Sequence, residues 1–180
     1  SKEENVREQV EALSTKMPVF VTDVVDIPSA LEAIGLLGEL LAREAEAEKL
    51  IDSIQSSFAA YQPVRHNLSV AYLIWQDPFM AVSSGTFIHE MLTMAGFRNV
   101  FANNSQRYPQ IALADLATKQ PDLIFLSSEP YDFTEDDRQF LKDQLPRSQV
   151  VFVDGEMFSW YGNRMRKAPA YFKQLFKFVV

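Results

Sequence analysis

Three short apolar segments, each followed by a segment with helical spacing, constrain the fold of this chain most strongly. They are SVAYLIW at residues 69–75, DLIFL at residues 122–126 and QVVFV at residues 149–153. Continuous apolar runs of this length are typical of strands that are buried on both faces. Helical patterns follow at residues 86–95, 112–119, 135–145 and 167–178. The alternation predicts the α/β class, with a parallel sheet covered by helices on both faces.

The first 26 residues predict a helix followed by a strand. Residues 3–13 place Val6, Val10 and Leu13 on one helical face, and PVFVTDVV at residues 18–25 has the composition of a strand. A helix that leads into a buried strand normally follows an earlier strand of the same sheet. We therefore expect residues 1–26 to be the remnant of an N-terminal α/β lobe that is truncated in this chain. An uncovered strand edge favours pairing with another chain, so residues 1–26 also predict a two-fold homodimer.

Residues 27–63 predict a single long helix, continuous from Leu31 to Ala60. Pro28 suits a first helical turn, and apolar residues recur at intervals of three and four up to Phe58. Such a helix would reach roughly 50 Å at 1.5 Å per residue. The predicted organisation is thus two α/β lobes with parallel sheets joined by one long backbone helix: residues 1–26, 27–63 and 64–180.

Composition and motifs argue against several classes of function. The net charge of −7 disfavours a nucleic-acid surface, which needs clustered Lys and Arg. The chain has no cysteine, which excludes disulfides and thiolate metal sites, and its two histidines, His66 and His89, support histidine-based catalysis poorly. Dinucleotide, phosphate-loop, nucleophile-elbow and zinc-protease motifs are absent from the sequence. We predict no catalytic residue and no metal ligand.

Aromatic side chains cluster where the predicted strands end, and open parallel sheets bind ligands at that edge. The candidate ligand-binding residues are Trp75, Asp77, Phe79 and Met80 after the first strand, Tyr108 in the loop NNSQRYPQI, and Glu156, Phe158, Trp160, Tyr161 and Arg164 after the last strand. A rim of aromatics suits a large, flat, partly apolar ligand better than a reaction centre.

Several of these features also have a simpler structural interpretation. Phe79 and Met80 suit a cap on the end of the sheet, and Thr86 suits a helix N-cap. His89, one turn into a predicted helix, is most simply a surface or half-buried histidine. The Trp160–Tyr161 pair fits such an interpretation least well, because two large aromatic rings are costly to expose without a partner.

Three longer segments carry a resemblance to a known family. They are PVFVTDVVDIPSALEAIGLLGELLAREAEAEKLI, DPFMAVSSGTFIHEMLTMAGFRNVFAN and YPQIALADLATKQPDLIFLSS. Their order and spacing resemble the substrate-binding proteins of ABC importers for cobalamin, haem and ferric siderophores, which are also called helical-backbone metal receptors. The resemblance implies an extracytoplasmic protein that binds one of these metal-containing ligands without chemistry and delivers it to an ABC permease and its ATPase.

The resemblance also implies roles for individual residues. Phe79 or Met80 would contact the ligand opposite Tyr108, and the last loop would contribute an acid, aromatics and an arginine. An acidic residue that docks on the permease belongs at Ala114, where the neighbouring Asp115 is expected to take its place. Two rival hypotheses are a doubly wound enzyme or redox subunit that holds a cofactor between lobes, and an interaction module that has lost ligand binding.

Overall fold

A five-stranded sheet forms the centre of the molecule in the computed structural model, which describes residues 1–63 and 67–179. The strands are β1 (Ser69–Trp75), β2 (Met80–Ala81), β3 (Arg98–Asn99), β4 (Leu123–Ser127) and β5 (Gln149–Val153). The order is β2-β1-β4-β5, in which β1, β4 and β5 are parallel and β2 is antiparallel to β1. Strand β3 pairs in parallel with the start of β1. The three parallel strands therefore end at one common edge.

Helices cover both faces of this sheet. They are α1 (Arg7–Ser14), α2 (Ile27–Leu40), α3 (Glu44–Ala59), α4 (Phe87–Ala95), α5 (Leu113–Lys119), α6 (Glu135–Gln144), α7 (Glu156–Ser159) and α8 (Ala168–Val179), with a 3₁₀ segment at Asn163–Lys167. Because strand side chains alternate, Val70 and Tyr72 join a core with α3, α4 and α8. Ala71 and Leu73 join a second core with α5 and α6. The predicted α/β class with parallel strands is confirmed.

The helices α4 and α6 begin at side-chain caps, as the sequence predicts. The Thr86 hydroxyl accepts a hydrogen bond from the His89 amide at 3.1 Å, so Thr86 is the N-cap of α4. At α6, Thr134 and Asp137 cap each other reciprocally, with the Thr134 amide 2.7 Å from the Asp137 carboxylate. These caps satisfy amides that lack a partner within the helix.

The predicted bounds are close to the observed ones for the longer elements of the sheet layer. Strands β1 and β5 begin and end at the predicted residues, and β4 is shifted by one residue. Strands β2 and β3 and helix α7 were not expected, because two or four residues are too short to show a periodic pattern. The last helix is preceded by the 3₁₀ segment.

The expectation of one continuous helix from Leu31 to Ala60 is wrong. Helix α2 ends at Leu40, Ala42 has a φ of +51°, and α3 begins at Glu44. The two helices are antiparallel, since Gly38 lies against Ala47 and Gly35 faces Ile51. A Cβ on Gly38 would lie only 2.5 Å from the Ala47 Cβ, so the glycine allows the helices to approach closely. The apolar spacing continues through both helices, which hid the turn between them.

The expected strand at residues 18–25 is also corrected. Residues 1–63, all of which are described, contain helices and loops but no strand. Helix α1 buries none of its residues, whereas Val24 reaches the first core. An apolar run without a neighbouring strand to pair with stays irregular, because an isolated strand leaves its backbone groups unpaired. Residues 1–26 therefore offer no strand edge through which a dimer could pair.

The predicted division at residues 26 and 63 remains a prediction. The start of the third region at residue 64, and His66, lie outside the described residues. Within the described ranges, no helix combines the length and apolar character needed to cross a membrane.

Candidate ligand-binding site

A cavity of about 340 Å³ lies at the common carboxyl edge of the parallel strands. Ile74 comes from the end of β1, and Glu129 and Pro130 follow β4. Ser159 is the last residue of α7, and Trp160 and Tyr161 follow that helix. The remaining lining residues are Ser1, Glu3, Glu4, Phe87, Ile88 and Tyr108. The cavity thus occupies the place where parallel α/β sheets bind ligands, and its size is at the lower end for small-molecule sites.

Two aromatic side chains from the loop after α7 form the exposed wall of this cavity. Trp160 is 50% exposed, and the Tyr161 ring packs edge-on against Phe87 with 5.8 Å between the ring centroids. The Arg164 guanidinium lies 5.8 Å from the Trp160 ring centroid and is paired with the Glu156 carboxylate. The pairing and the cation–π contact hold Arg164 beside Trp160, which presents an aromatic surface with a cation at its border.

Together with the N-terminal segment, Tyr108 also lines this cavity. Its hydroxyl donates a hydrogen bond to Glu3 Oε2 at 3.1 Å, and Arg107 Nη1 donates to Glu3 Oε1 at 3.1 Å. Burial and the adjacent Glu3 carboxylate raise the pKa of Tyr108 above its usual value. A tyrosine is protonated at neutral pH even without this shift, so the phenol acts as a hydrogen-bond donor.

The floor of the cavity is polar and tightly packed. The Ser159 hydroxyl donates to the Glu129 carboxylate, and the Ser127 hydroxyl donates to the Glu129 carbonyl oxygen at 2.6 Å. A side chain at Gly155 would overlap Ser127 and Glu129, so glycine is required where the loops after β4 and β5 meet. Glu129 and Ser159 were not among the predicted site residues. The signal for Glu129 was an acid directly after a buried strand.

A match to a known protein family agrees with a ligand cavity at the carboxyl edge of the sheet. Residues 1–151 match the family described as periplasmic binding protein. This chain belongs to the periplasmic binding protein family.

Two curated relatives of this periplasmic binding protein share the name vitamin B12-binding protein. A vitamin B12-binding protein of Vibrio cholerae serotype O1 is 27% identical over 113 residues, which is 63% of this chain and 39% of the relative. The vitamin B12-binding protein of Photorhabdus laumondii is 25% identical over 163 residues, which is 88% of this chain and 57% of the relative. The chain therefore matches well under two thirds of the length of these relatives.

Solved structures show the same fold. A periplasmic heme-binding protein of Vibrio cholerae has a TM-score of 0.77 at 15% identity, covering 98% of this chain and 74% of that chain. A protein of an ABC-type Fe³⁺-hydroxamate transport system from Saccharomonospora viridis has a TM-score of 0.70 at 23% identity, covering 95% of this chain and 65% of that one. At these identities the likeness concerns the fold alone.

The structure of this family member brings some of the predicted site residues together. Tyr108, Trp160 and Tyr161 line one cavity, and Glu156 and Arg164 lie directly behind Trp160. Sequence spacing alone did not distinguish these residues from their neighbours, because the turns of the last loop decide which side chain faces the cavity.

Four predicted residues from the first loop lie elsewhere. Trp75 packs edge-on against Tyr131 at 5.3 Å, on the sheet face that carries the second core. Asp77 and Phe79 line a separate groove that also includes Phe140. Met80 lies in β2, paired with the end of β1. Strand alternation explains the outcome: Trp75 shares a face with Leu73, whereas Ile74 points toward the cavity.

Phe158 requires a correction. It is fully buried in the first core, where its ring contacts Tyr72 at 5.3 Å and Phe172 at 5.1 Å between centroids. A side chain without exposed surface does not contact a ligand in this arrangement. Phe158 is instead the core residue that anchors the loop carrying Trp160 and Tyr161.

Asp115 has a structural function in addition to its predicted docking role. Its carboxylate accepts a hydrogen bond from the Ala112 amide at 2.8 Å at the start of α5, and its side chain is exposed. The docking role stays a prediction.

His89 is half-buried, with Nδ1 3.3 Å from the side-chain nitrogen Nδ2 of Asn99, and burial lowers its pKa. Among residues 1–63 and 67–179, no three His, Cys, Asp or Glu side chains are grouped to hold a metal ion.

Proposed function

We propose that this chain is the ligand-binding part of the solute-binding component of an ABC importer for a metal-containing ligand, namely cobalamin, haem or a ferric siderophore. The observation that carries the proposal is the aromatic cavity at the carboxyl edge, which Tyr108, Trp160 and Tyr161 all line. Large aromatic rings offer apolar area and a stacking face for a flat ligand at little entropic cost.

The arrangement of polar groups supports binding without chemistry. The Glu129 carboxylate accepts from Ser159, and the Glu156 carboxylate is paired with Arg164. Acids held in this way orient a ligand or a neighbouring side chain, whereas a catalytic acid or base needs free access to the reacting atom. One relative is a vitamin B12-binding protein, and two structural neighbours are a heme-binding protein and a protein of an Fe³⁺-hydroxamate transport system, which supports the same class of ligand.

The proposal includes a membrane partner. An importer component of this kind works outside the cytoplasm and docks on an ABC permease, whose ATPase drives transport. Asp115 is our candidate for that contact, because it is exposed on α5 and lines, with Lys119, a groove separate from the aromatic cavity.

Titration of the purified chain tests the proposal. Haemin, cyanocobalamin and a ferric hydroxamate siderophore absorb visible light, so binding changes the spectrum or retains the chelate with the protein in equilibrium dialysis. We expect saturable binding of at least one chelate, with the chelate recovered unchanged. Failure to bind all three would contradict the proposal, and conversion of a chelate to a product would favour an enzyme instead.

A further inference from the structure

The Glu3 carboxylate occupies a pair of hydrogen-bond donors at the cavity wall. One carboxylate oxygen accepts from Arg107 Nη1 and the other from the Tyr108 hydroxyl, each at 3.1 Å. Arg107 and Tyr108 are adjacent in the loop between α4 and α5, whereas Glu3 lies more than a hundred residues away in the chain. The two donors are thus presented by one loop, and the acceptor comes from a separate segment.

We propose that Arg107 and Tyr108 form a carboxylate-binding fork that holds an acidic group of the transported ligand, and that Glu3 takes the place of that group in this structure. This inference rests on the proposed function and deepens it, because it selects metal chelates that carry carboxylates over neutral, amide-bearing ones.

The chemistry of the two donors fits a carboxylate. Arginine presents its N–H groups in a plane that matches two carboxylate oxygens, and a charge-assisted hydrogen bond is stronger than a neutral one. Tyr108 adds an O–H donor, since a tyrosine is protonated at neutral pH, and burial and the Glu3 charge raise its pKa further. A neutral amide oxygen would receive the same two hydrogen bonds but without the full ionic attraction.

The surrounding charges leave Arg107 available for a second anion. Its Nη1 also lies 3.4 Å from the Asp23 carboxylate, but Asp23 bonds more closely to Lys2 at 2.5 Å. In the described part of the chain, both Arg107 contacts to acids run through Nη1, so Nη2 and Nε keep free N–H groups. The side chain is 37% exposed, and both its neighbour Tyr108 and its partner Glu3 line the cavity.

The fork is also close to the aromatic wall. Glu3 and Tyr108 line the same cavity as Trp160. A flat chelate that stacks against Trp160 therefore has a carboxylate site within the same cavity, so that aromatic contact and ionic contact act on one molecule. This combination fixes the orientation of the ligand as well as its affinity.

A matched pair of probes tests the fork in the 180-residue protein. Haemin carries two carboxylates, and haemin dimethyl ester has the same ring with both carboxylates blocked. We expect the wild-type protein to bind haemin about tenfold more tightly than the ester, since a charge-assisted hydrogen bond contributes on this scale. Arg107→Gln and Tyr108→Phe should each remove most of this preference, because each weakens the binding of haemin more than that of the ester.

Two further variants complete the experiment. Arg98→Gln removes an exposed arginine from β3, at the opposite end of the sheet, and should keep the full preference. Glu3→Gln removes the internal carboxylate and should strengthen the binding of haemin more than that of the ester. Equal affinities for both probes in the wild-type protein, or an unchanged preference in Arg107→Gln, would overturn the fork and leave the proposed function intact. No binding of haemin, its ester, cyanocobalamin or the ferric hydroxamate would overturn both.

Discussion

At the scale of single residues, Trp160 and Trp75 show that a partly exposed tryptophan does not always line the cavity. Both are partly exposed, at 50% and 41%, but only Trp160 lines the cavity, whereas Trp75 packs against Tyr131 on the other sheet face. Trp75 therefore serves as a control for substitutions of Trp160.

We predict that Trp160→Ala weakens chelate binding by about 1–3 kcal/mol, by analogy with base–aromatic stacking. Thermal stability should change little, because half of the side chain is already in contact with solvent. Trp75→Ala should leave the affinity unchanged. Equilibrium dialysis with haemin and cyanocobalamin measures both variants, and an equal loss in both would remove Trp160 from its assigned role.

For Phe158 we expect the reverse of Trp160, namely a loss of stability upon substitution. It is fully buried, so Phe158→Ala should lower the free energy of unfolding by about 3–5 kcal/mol, the usual cost of deleting a buried ring. Phe178→Ala is the matched control, because that ring is 75% exposed and its loss should cost less than about 0.5 kcal/mol. Urea denaturation followed by circular dichroism measures the difference. Equal stabilities would mean that Phe158 does not anchor the last loop.

At the scale of elements, the hairpin of α2 and α3 depends on the contact at Gly38. A Cβ there would lie 2.5 Å from the Ala47 Cβ, whereas a Cβ at Gly35 would lie 3.9 Å from the Ile51 Cδ1. We expect Gly38→Ala to cost about 1–3 kcal/mol through overpacking. Gly35→Ala should be neutral or stabilise by up to about 1 kcal/mol, because alanine is the better helix former.

Thermal unfolding of the two glycine variants checks this pair. A single straight helix would respond to both substitutions in the same favourable direction, since alanine replaces glycine on one helix in each case. Opposite signs at Gly38 and Gly35 are therefore the signature of the hairpin.

The sequence predicted the sheet better than the N-terminal third because of how each part is stabilised. Strand β4 is buried throughout and β1 over its first five residues, whereas β5 buries Val150 and Val153 and leaves Phe152 exposed. The apolar runs of all three strands nevertheless match the structure closely. The segment at residues 18–25 has a similar composition but no partner strand, and pairing decides whether such a run becomes a strand. The turn at Ala42 carries no proline or glycine, so its positive φ had no local signal.

The candidate site was predictable in its location but only partly in its residues. The rule that ligands bind beyond the carboxyl ends of parallel strands led to the edge where the cavity lies. It did not distinguish Trp75 from Ile74, or Phe158 from Trp160, because the sheet face and the winding of α7 decide which side chain enters the cavity. Glu3 and Arg107 were missed because their contact spans most of the chain.

At the scale of the whole molecule, residues 1–26 expose an apolar surface. The large side chains that stay exposed there are Val6, Leu13, Met17, Phe20 and Val21. We expect this surface to support a homodimer of the 180-residue protein, since burying apolar area is favourable and two-fold contacts are the commonest closed solution. The expected contact now rests on these side chains and no longer on a strand edge.

Light scattering tests the association. The wild-type protein should show a concentration-dependent mass, and the double variant Met17→Glu/Phe20→Glu should be monomeric. Phe178→Glu places the same charge on an exposed ring of α8 and should still dimerise. A monomeric wild-type protein, or a dimer lost equally in the Phe178 variant, would contradict this interface.

The central claim is that the aromatic cavity at the carboxyl edge of the sheet holds a metal chelate. The chain has two tryptophans, so Trp75→Phe leaves Trp160 as the single fluorescent tryptophan, at the cavity itself. Haemin and cobalamin absorb in the range of tryptophan emission and quench a nearby indole by energy transfer. We predict saturable quenching of Trp160 by at least one of haemin, cyanocobalamin and a ferric hydroxamate. Quenching that rises without saturation for all three chelates, as for free N-acetyltryptophanamide, would contradict the account.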